Sequence, residues 1–185
     1  MADAKAEDRT QELAAFFLEH RSLLRRYLVA QGCPECDSDD IVQDAFLIIR
    51  ARWDTIAYYD NPKAYLYKVA IRLWHRDTVR RRRKSSHGDQ HSLLEAIPDR
   101  TDILKEVELA DTLNRWFRQL PVQQRNVAGL RLIADLPEVV TAEALGISLG
   151  TVKSQLNAAR KRLSQLRDQD QDDGRDRPRD EGERR

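Results

Sequence analysis

Hydrophobic side chains recur at steps of three and four residues along most of the chain, and this period predicts α-helices. The first predicted helix covers residues 11–30. The second covers residues 38–53, with Ser38 as its N-cap. The third begins near Pro62 and continues to about residue 84. Alternation of period two is scarce, so the pattern favours an all-α fold.

A polar stretch of residues 85–103, which contains a glycine and a proline, predicts an interdomain linker. A second set of helical patterns follows over residues 104–166. The tail, residues 167–185, has eight acidic residues and no aromatic one, so we predict that it is disordered, as are residues 1–10. We therefore expect two small helical domains, residues 11–84 and 104–166, joined by a flexible linker.

The stretch from Ala142 to Leu156 has the pattern of a helix-turn-helix motif. Gly146 supplies the conformation that a tight turn needs, and Ser148 is a suitable N-cap for the second helix. Val152 and Leu156 are predicted to face the core. The outward side chains are hydrogen-bond donors suited to phosphates and base edges in a DNA major groove. An ordinary helical hairpin with a solvated polar face is the alternative.

The two signs of charge are separated along the chain, although 34% of its 185 residues are charged and the net charge is only +1. Residues 72–84 contain seven Lys or Arg and one acid, whereas residues 35–44 contain five acids and no base. Such blocks indicate two surfaces with different partners, one of them a nucleic acid. No stretch approaches the ~20 apolar residues of a membrane span. Because no apolar signal core opens the chain either, we expect a cytoplasmic protein without membrane insertion.

Cys33 and Cys36 form a CxxC pair. A structural zinc site needs four ligands, and no histidine stands at zinc-finger spacing from this pair. A thioredoxin-type site would need a βαβ context, which the pattern lacks. We therefore predict two loop cysteines without catalytic role, and a redox switch is the open alternative. No metal, cofactor or enzymatic activity is expected, because no phosphate loop or catalytic set is recognisable.

Two sets of motifs resemble bacterial sigma factors, and most closely the small extracytoplasmic-function (ECF) group. Residues 120–131, 135–137 and 144–154, the last of which overlap the helix-turn-helix, resemble sigma region 4. Residues 39–46 are similar to region 2.2, and residues 64–70 with the following arginine run are similar to regions 2.3 and 2.4. The resemblance implies a region 2 domain and a region 4 domain, in the order in which the two motif sets occur.

The resemblance implies that the chain binds core RNA polymerase and directs it to promoter DNA. Region 2 would contact the β′ clamp helices, and region 4 would contact the β flap and the −35 element. An anti-sigma factor is a further partner that the family commonly has. The predicted polymerase contacts lie on an acidic and partly apolar helix face, suited to a basic partner, although the acids also favour a helix N-terminus. They are Asp40, Gln43, Asp44 and Leu47.

By the same resemblance, the loop of residues 58–63 captures a flipped base of the −10 element. Tyr58 and Tyr59 would stack on an unpaired base, and packing in the domain core is the alternative for either ring. Lys68 begins a basic stripe that repeats every four residues and suits a phosphate backbone. Arg72 stands where many members have asparagine. The predicted −10 contacts are Tyr58, Tyr59, Asn61, Lys63, Lys68, Arg72, Trp74, Arg76 and Arg80.

The family's −35 contacts fall on the second helix of the helix-turn-helix. Ala158 occupies a position where a larger basic residue is common. Thr141 replaces a common Ile or Val, and we expect its hydroxyl to bond to a carbonyl one turn back. The predicted −35 contacts are Thr151, Lys153, Ser154, Gln155, Asn157, Arg160 and Lys161.

Two other functions compete with promoter recognition by a sigma factor. A helix-turn-helix regulator would bind operators without polymerase, but it leaves the region 2-like half unexplained. A sigma-mimicking adaptor would sequester an anti-sigma partner and would not bind DNA. In vitro transcription with purified core enzyme separates the three.

Overall fold

The computed structural model describes residues 2–85 and 101–175 of the chain. Within these two ranges every regular element is a helix, which confirms the predicted all-α fold. Most of the predicted linker, residues 86–100, lies outside the described residues.

The first half contains four helices, and the second half contains four more with one π-helical segment. The first four are α1 (Ala2–Ala30), α2 (Glu35–Ala51), α3 (Trp53–Ile56) and α4 (Pro62–Ser85). The others are α5 (Thr101–Arg118), α6 (Val122–Ala128), the π-helical segment (Gly129–Ile133), α7 (Glu138–Leu145) and α8 (Leu149–Arg175).

The start of α2 differs from the prediction. Its N-cap is Pro34 and its first residue is Glu35, one turn before Ser38. Ser38 is fully buried inside the helix, and its hydroxyl donates to the Glu35 carbonyl at 2.7 Å. Proline fixes its φ near the observed −57° and has no N–H to satisfy, so the chain can enter the helix earlier. The prediction of Ser38 as N-cap is therefore wrong.

Two helices are longer than predicted, because distant side chains hold their ends. Arg9 on α1 forms an ion pair with Asp54 on α3. On α8, Asp170 accepts hydrogen bonds from Trp116 Nε1 at 2.8 Å and from Arg115 Nη2 at 2.5 Å. The predicted disorder is therefore wrong for residues 2–10 and 167–175, which are helical. Residues 176–185 lie outside the described part of the chain.

One hydrophobic cluster extends across both halves. The interior of the first half is built from α1, α2 and α4 around residues such as Leu28, Ile49 and Leu66, all fully buried. Leu130 and Leu136 from the second half belong to the same buried cluster. The π-helical segment packs on α1, and α7 packs on α4. The helical period predicted the separate helices, but it did not predict that one half packs on the other.

The contact of α8 with α5 gives a testable prediction. The hydrogen bond from Trp116 is the main cause that lowers the pKa of Asp170 below its usual range, so the carboxylate is charged at neutral pH. We expect Asp170→Ala to abolish amide-exchange protection in the α8 turns around residue 170. Asp168→Ala is the matched control, because Asp168 is exposed and pairs only locally with Arg167. Equal protection in both variants would contradict the anchoring role of Asp170.

Candidate nucleic-acid and protein interfaces

The helix-turn-helix is formed by α7, a tight turn and α8. Gly146 has φ +66°, the left-handed conformation that glycine adopts without strain. The Ile147 amide donates to the Ala142 carbonyl at 3.1 Å, which closes the turn. The Ser148 hydroxyl accepts from the Thr151 amide at 3.1 Å and caps α8. The predicted turn and cap are both confirmed.

One face of α8 is buried, and the predicted −35 residues lie outside it. Val152, Leu156 and Ala159 pack inward. Of the predicted set, Thr151 and Gln155 are half-buried and the rest are exposed. Thr141 is fully buried, and its hydroxyl donates to the Leu136 carbonyl at 3.4 Å, in the direction predicted. Over residues 151–161 the exposed face of α8 thus presents amides, a hydroxyl and cations without an acid among them.

The basic stripe on α4 turns gradually around the helix. Each four-residue step advances the side chain by about 40° beyond a full turn. Lys68 is half-buried, whereas Arg72, Arg76 and Arg80 are exposed. Trp74, also predicted to contact DNA, is half-buried and packs against the core. The stripe therefore divides into a part nearer the start of α4 and a part, Arg76 and Arg80, that faces α2.

A groove between α2 and α4 brings the acidic and basic blocks together, although the sequence predicted separate surfaces. It measures about 310 Å³. Arg81 ion-pairs with Asp37 at 2.8 Å and with Asp77 at 2.5 Å. The predicted polymerase contacts Asp40 and Asp44 line the same groove as two predicted DNA contacts, namely Arg76 and Arg80. These acids and cations therefore partly neutralise one another in the free chain.

The loop before α4 presents its aromatic rings to solvent. Tyr58 is 75% exposed, and its hydroxyl accepts a long hydrogen bond of 3.5 Å from Arg9 Nη2. Tyr59 is 44% exposed and meets Tyr65 edge to face, with ring centroids 5.5 Å apart. Core packing is therefore wrong for Tyr58 and holds only in part for Tyr59.

Two polar residues predicted to contact the −10 element lie where the loop joins α4. Asn61 caps α4, because its Oδ1 accepts from the Ala64 amide at 2.8 Å. Lys63 is half-buried in the first turn of the helix. Asn61 thus has a structural role in the free chain that the sequence did not indicate.

A second groove, between α1 and α2, is largely apolar and about 680 Å³ in volume. Gln43 and Leu47, both predicted polymerase contacts, lie on its α2 wall. Leu18 and Phe17 lie on its α1 wall, and Leu18 is 69% exposed. The hydrophobic pattern did not predict α1 as part of this surface, although an exposed leucine in an amphipathic helix can indicate a binding face. The four predicted contacts on α2 form the ridge between the two grooves.

The CxxC pair has one buried and one exposed thiol. Cys33 is fully buried, and desolvation is the main cause that raises its pKa to about 12. Cys36 is exposed at the start of α2. Because the thiolate is the reactive form, Cys33 is protected from oxidation in the folded chain.

The described ranges contain neither a metal-binding cluster nor a membrane-spanning helix. No group of three or more His, Cys, Asp or Glu side chains there is arranged to hold a metal ion. No helix in residues 2–85 or 101–175 combines the length and apolar character needed to cross a bilayer.

Comparison with known proteins agrees with the resemblance carried by the motifs. The family Sigma-70, region 4, matches residues 112–163. The ECF RNA polymerase sigma factor SigM of Mycobacterium tuberculosis is 31% identical over 151 residues, which cover 82% of this chain and 74% of SigM.

Two solved structures share the arrangement of helices. The sigma factor RpoE of Bartonella quintana, solved in complex with the anti-sigma factor NepR, matches with a TM-score of 0.69 and 24% identity. That match covers 86% of this chain and 96% of RpoE, and it shows a common fold. CnrH, solved in complex with the cytosolic domain of CnrY, matches with a TM-score of 0.60 and 25% identity over 87% of this chain and 90% of CnrH.

The different burial of the two thiols predicts selective labelling. With excess maleimide at neutral pH we expect one adduct on the native chain, at Cys36, and two adducts in denaturant, read by intact mass. Cys36→Ser should remove the native adduct. Rapid labelling of both cysteines in the native wild-type chain would show that Cys33 is accessible. That result would support the redox-switch alternative.

Proposed function

The chain belongs to the extracytoplasmic-function sigma factors of bacterial RNA polymerase, and we propose how its surfaces divide the work of transcription initiation. The first half, residues 11–84, acts as the region 2 domain. The second half, residues 104–166, acts as the region 4 domain. The observation that supports this assignment best is the presence, in one chain, of an exposed apolar ridge and two separate surfaces suited to DNA.

The ridge of α2 is the proposed site for core polymerase. Gln43 and Leu47 contribute to the apolar groove, and Leu47 is 59% exposed. Asp40 and Asp44 add two exposed carboxylates on the other side of the ridge. An apolar centre with a charged rim is typical of protein interfaces, and the acids favour a basic partner such as the β′ clamp helices.

The −10 element is proposed to bind the loop before α4 and the basic stripe. Tyr58 projects into solvent next to Tyr59, which is the arrangement that stacking on an unpaired base needs. Such stacking contributes about 1–3 kcal/mol per base. Base flipping costs a few kcal/mol, so the two rings need help from cations such as Arg72 along the phosphate backbone.

The −35 element is proposed to bind the exposed face of α8, with the β flap as the protein partner of the same half. Lys153 and Arg160 suit phosphates, which position the helix without reading sequence. Asn157 and Gln155 carry amides that can pair bidentately with an adenine. Each good pair of that kind contributes about 1–3 kcal/mol of discrimination between bases.

We also propose control by an anti-sigma factor. The support is the fold shared with RpoE, which was solved with the anti-sigma factor NepR. The apolar groove between α1 and α2 suits such a partner as well as it suits polymerase, because it exposes large aliphatic side chains on both walls. An inhibitor that occupies this groove would compete directly with core enzyme.

Run-off transcription with purified core polymerase and a library of random promoters tests the function as a whole. Initiation from a defined pair of elements supports the proposal. Operator binding without initiation would support the helix-turn-helix regulator, and absence of DNA binding with tight anti-sigma binding would support the adaptor.

The polymerase site predicts a selective loss of core binding. We expect Gln43→Lys combined with Asp44→Lys to weaken binding of core enzyme by about tenfold, about 1.4 kcal/mol, because cations would face a basic partner. The control is Asp168→Lys, which reverses an exposed acid at the far end of α8. Fluorescence anisotropy with labelled chain measures both. Equal weakening by the control would assign the effect to net charge.

The −35 site predicts a loss of sequence selectivity without loss of core binding. We expect Lys153→Ala combined with Asn157→Ala to reduce the preference for the selected −35 element by at least about tenfold, since a bidentate contact is removed. The matched control is Arg162→Ala combined with Gln165→Ala, which removes one cation and one amide from the other side of α8. A drop in thermal stability alone, with selectivity kept, would show that these residues are structural.

A further inference from the structure

The beginning of α1 reaches the loop that is proposed to capture the flipped base. Arg9 Nη2 donates to the Tyr58 hydroxyl at 3.5 Å, and Arg9 Nη1 forms an ion pair with Asp54. These bonds connect residues 49 and 45 positions apart, so they depend on how α1 packs and not on local sequence. None of the proposed binding surfaces includes Arg9, which lies in a stretch that the sequence predicted to be disordered.

Buried rings fix the position of α1 against α3. Phe16 on α1 packs on Trp53, with ring centroids 5.1 Å apart. Trp53 and Ile56 are buried and anchor the single turn of α3. Arg9 precedes Phe16 by seven residues, about two helical turns, so both lie on one face of α1. This face therefore brings Arg9 to the exposed carboxylate of Asp54, the residue after Trp53.

The Tyr58 side chain lies mostly in solvent, with 75% of its surface exposed. Within residues 2–85 and 101–175, the bond from Arg9 is the one hydrogen bond that its hydroxyl makes. Tyr59, in contrast, packs edge to face on Tyr65. A ring whose rotamer is already restricted in the free chain loses less entropy when a base stacks on it. The bond from Arg9 thus prepares Tyr58 for stacking.

The guanidinium of Arg9 is suited to bind both partners at once. It is planar and permanently charged, and its N–H donors form a rigid fork. One nitrogen can therefore hold the Asp54 carboxylate while the other donates to the Tyr58 hydroxyl. An exposed ion pair contributes little to stability, so orientation of the ring explains the three side chains better than stabilisation of α1 does.

We propose that Arg9 is a positioning residue for promoter opening, which orients the Tyr58 ring before the flipped base of the −10 element stacks on it. The inference rests on the proposed function, because it takes Tyr58 as the stacking surface. Arg9 acts through the tyrosine hydroxyl and does not itself contact the base. Removal of the guanidinium and removal of that hydroxyl should therefore have the same effect, and removal of both should have no larger one.

The rate of promoter opening by the holoenzyme tests this role. The promoter is one selected by run-off transcription, with 2-aminopurine in its −10 element, and its fluorescence rises when the base unstacks. We expect Arg9→Ala and Tyr58→Phe each to slow opening roughly two- to tenfold, and the double variant to be no slower. Asp54→Ala should slow opening too, although the loss of an acid near DNA would by charge alone strengthen binding.

Arg52→Ala is the matched control for the loss of a cation. Arg52 is exposed two residues before Asp54, and its side chain makes no ion pair in the described part of the chain. We expect this variant to open the promoter at the wild-type rate. Circular dichroism checks that all variants keep their helicity.

Fluorine NMR of the free chain tests the contact itself, without polymerase. The chain has five tyrosines, and after labelling with 3-fluorotyrosine the variant Tyr58→Phe identifies the resonance of Tyr58. We expect Arg9→Ala to shift this resonance, because the hydroxyl loses its donor. Arg52→Ala should leave the resonance in place.

The outcomes separate the positioning role from the proposed function. Equal, non-additive slowing by Arg9→Ala and Tyr58→Phe, together with a shifted resonance, supports the role. Wild-type opening by Tyr58→Phe, additive losses, faster opening by Asp54→Ala or an unmoved resonance would overturn it. If Arg9→Ala loses helicity, Tyr58→Phe and Asp54→Ala decide alone. A wild-type chain that opens no promoter contradicts the proposed function, and the positioning role falls with it; a wild type that opens, with variants that open equally well, contradicts the positioning role only.

Discussion

The close approach of Gly129 to Tyr27 is the contact on which the arrangement of the two halves depends. It lets the π-helical segment lie against α1 and brings Leu130 and Leu136 into the core of the first half. It also places Arg125 where its side chain reaches Gln31, while two further hydrogen bonds from Arg125 hold the carbonyls of Arg118 and Leu120. One arginine therefore ties the end of α5, the start of α6 and the end of α1 into one unit.

The second organising feature is that α2 serves two environments at once. Its buried face, with Ala45 and Ile49 fully inside, completes the core of the first half. Its exposed ridge separates an apolar groove from a charged one. The helix packs on both α1 and α4, and the edge between its two grooves stays exposed. A partner that binds that edge contacts apolar and acidic side chains at the same time.

Local chemistry explains what the sequence predicted well. The turn at Gly146 and the cap at Ser148 depend on residues within a few positions of each other, so spacing alone identifies them. The exposed face of α8 follows directly from the helical period. The same local reasoning failed at Ser38. Capping preferences rank serine above proline, but the helix begins earlier, with Pro34 as its N-cap.

The unpredicted features that fix how the helices pack join residues far apart in the chain. Trp116 and Asp170 extend α8 into a stretch whose composition alone indicates disorder. Tyr27, Gln31, Arg125 and Gly129, which join the two halves, belong to no common motif. A glycine inside a helical pattern locally indicates only a less stable helix. Likewise, the acidic and basic blocks are far apart in the sequence. Nothing in it indicated that α2 and α4 would place Asp40 and Asp44 in one groove with Arg76 and Arg80.

That shared groove links the two activities of the first half through electrostatics. Under the proposed assignment, Arg76 and Arg80 belong to the DNA surface, and Asp40 and Asp44 to the polymerase surface. The carboxylates and the arginines line one groove of about 310 Å³, so salt screens their attraction only partly. While the acids face solvent, they lower the positive potential that phosphates meet along α4. A basic partner on the α2 ridge compensates those acids and restores that potential. If the proposed assignment holds, polymerase bound at the α2 ridge would strengthen the attraction of α4 for DNA through the charges of this one groove.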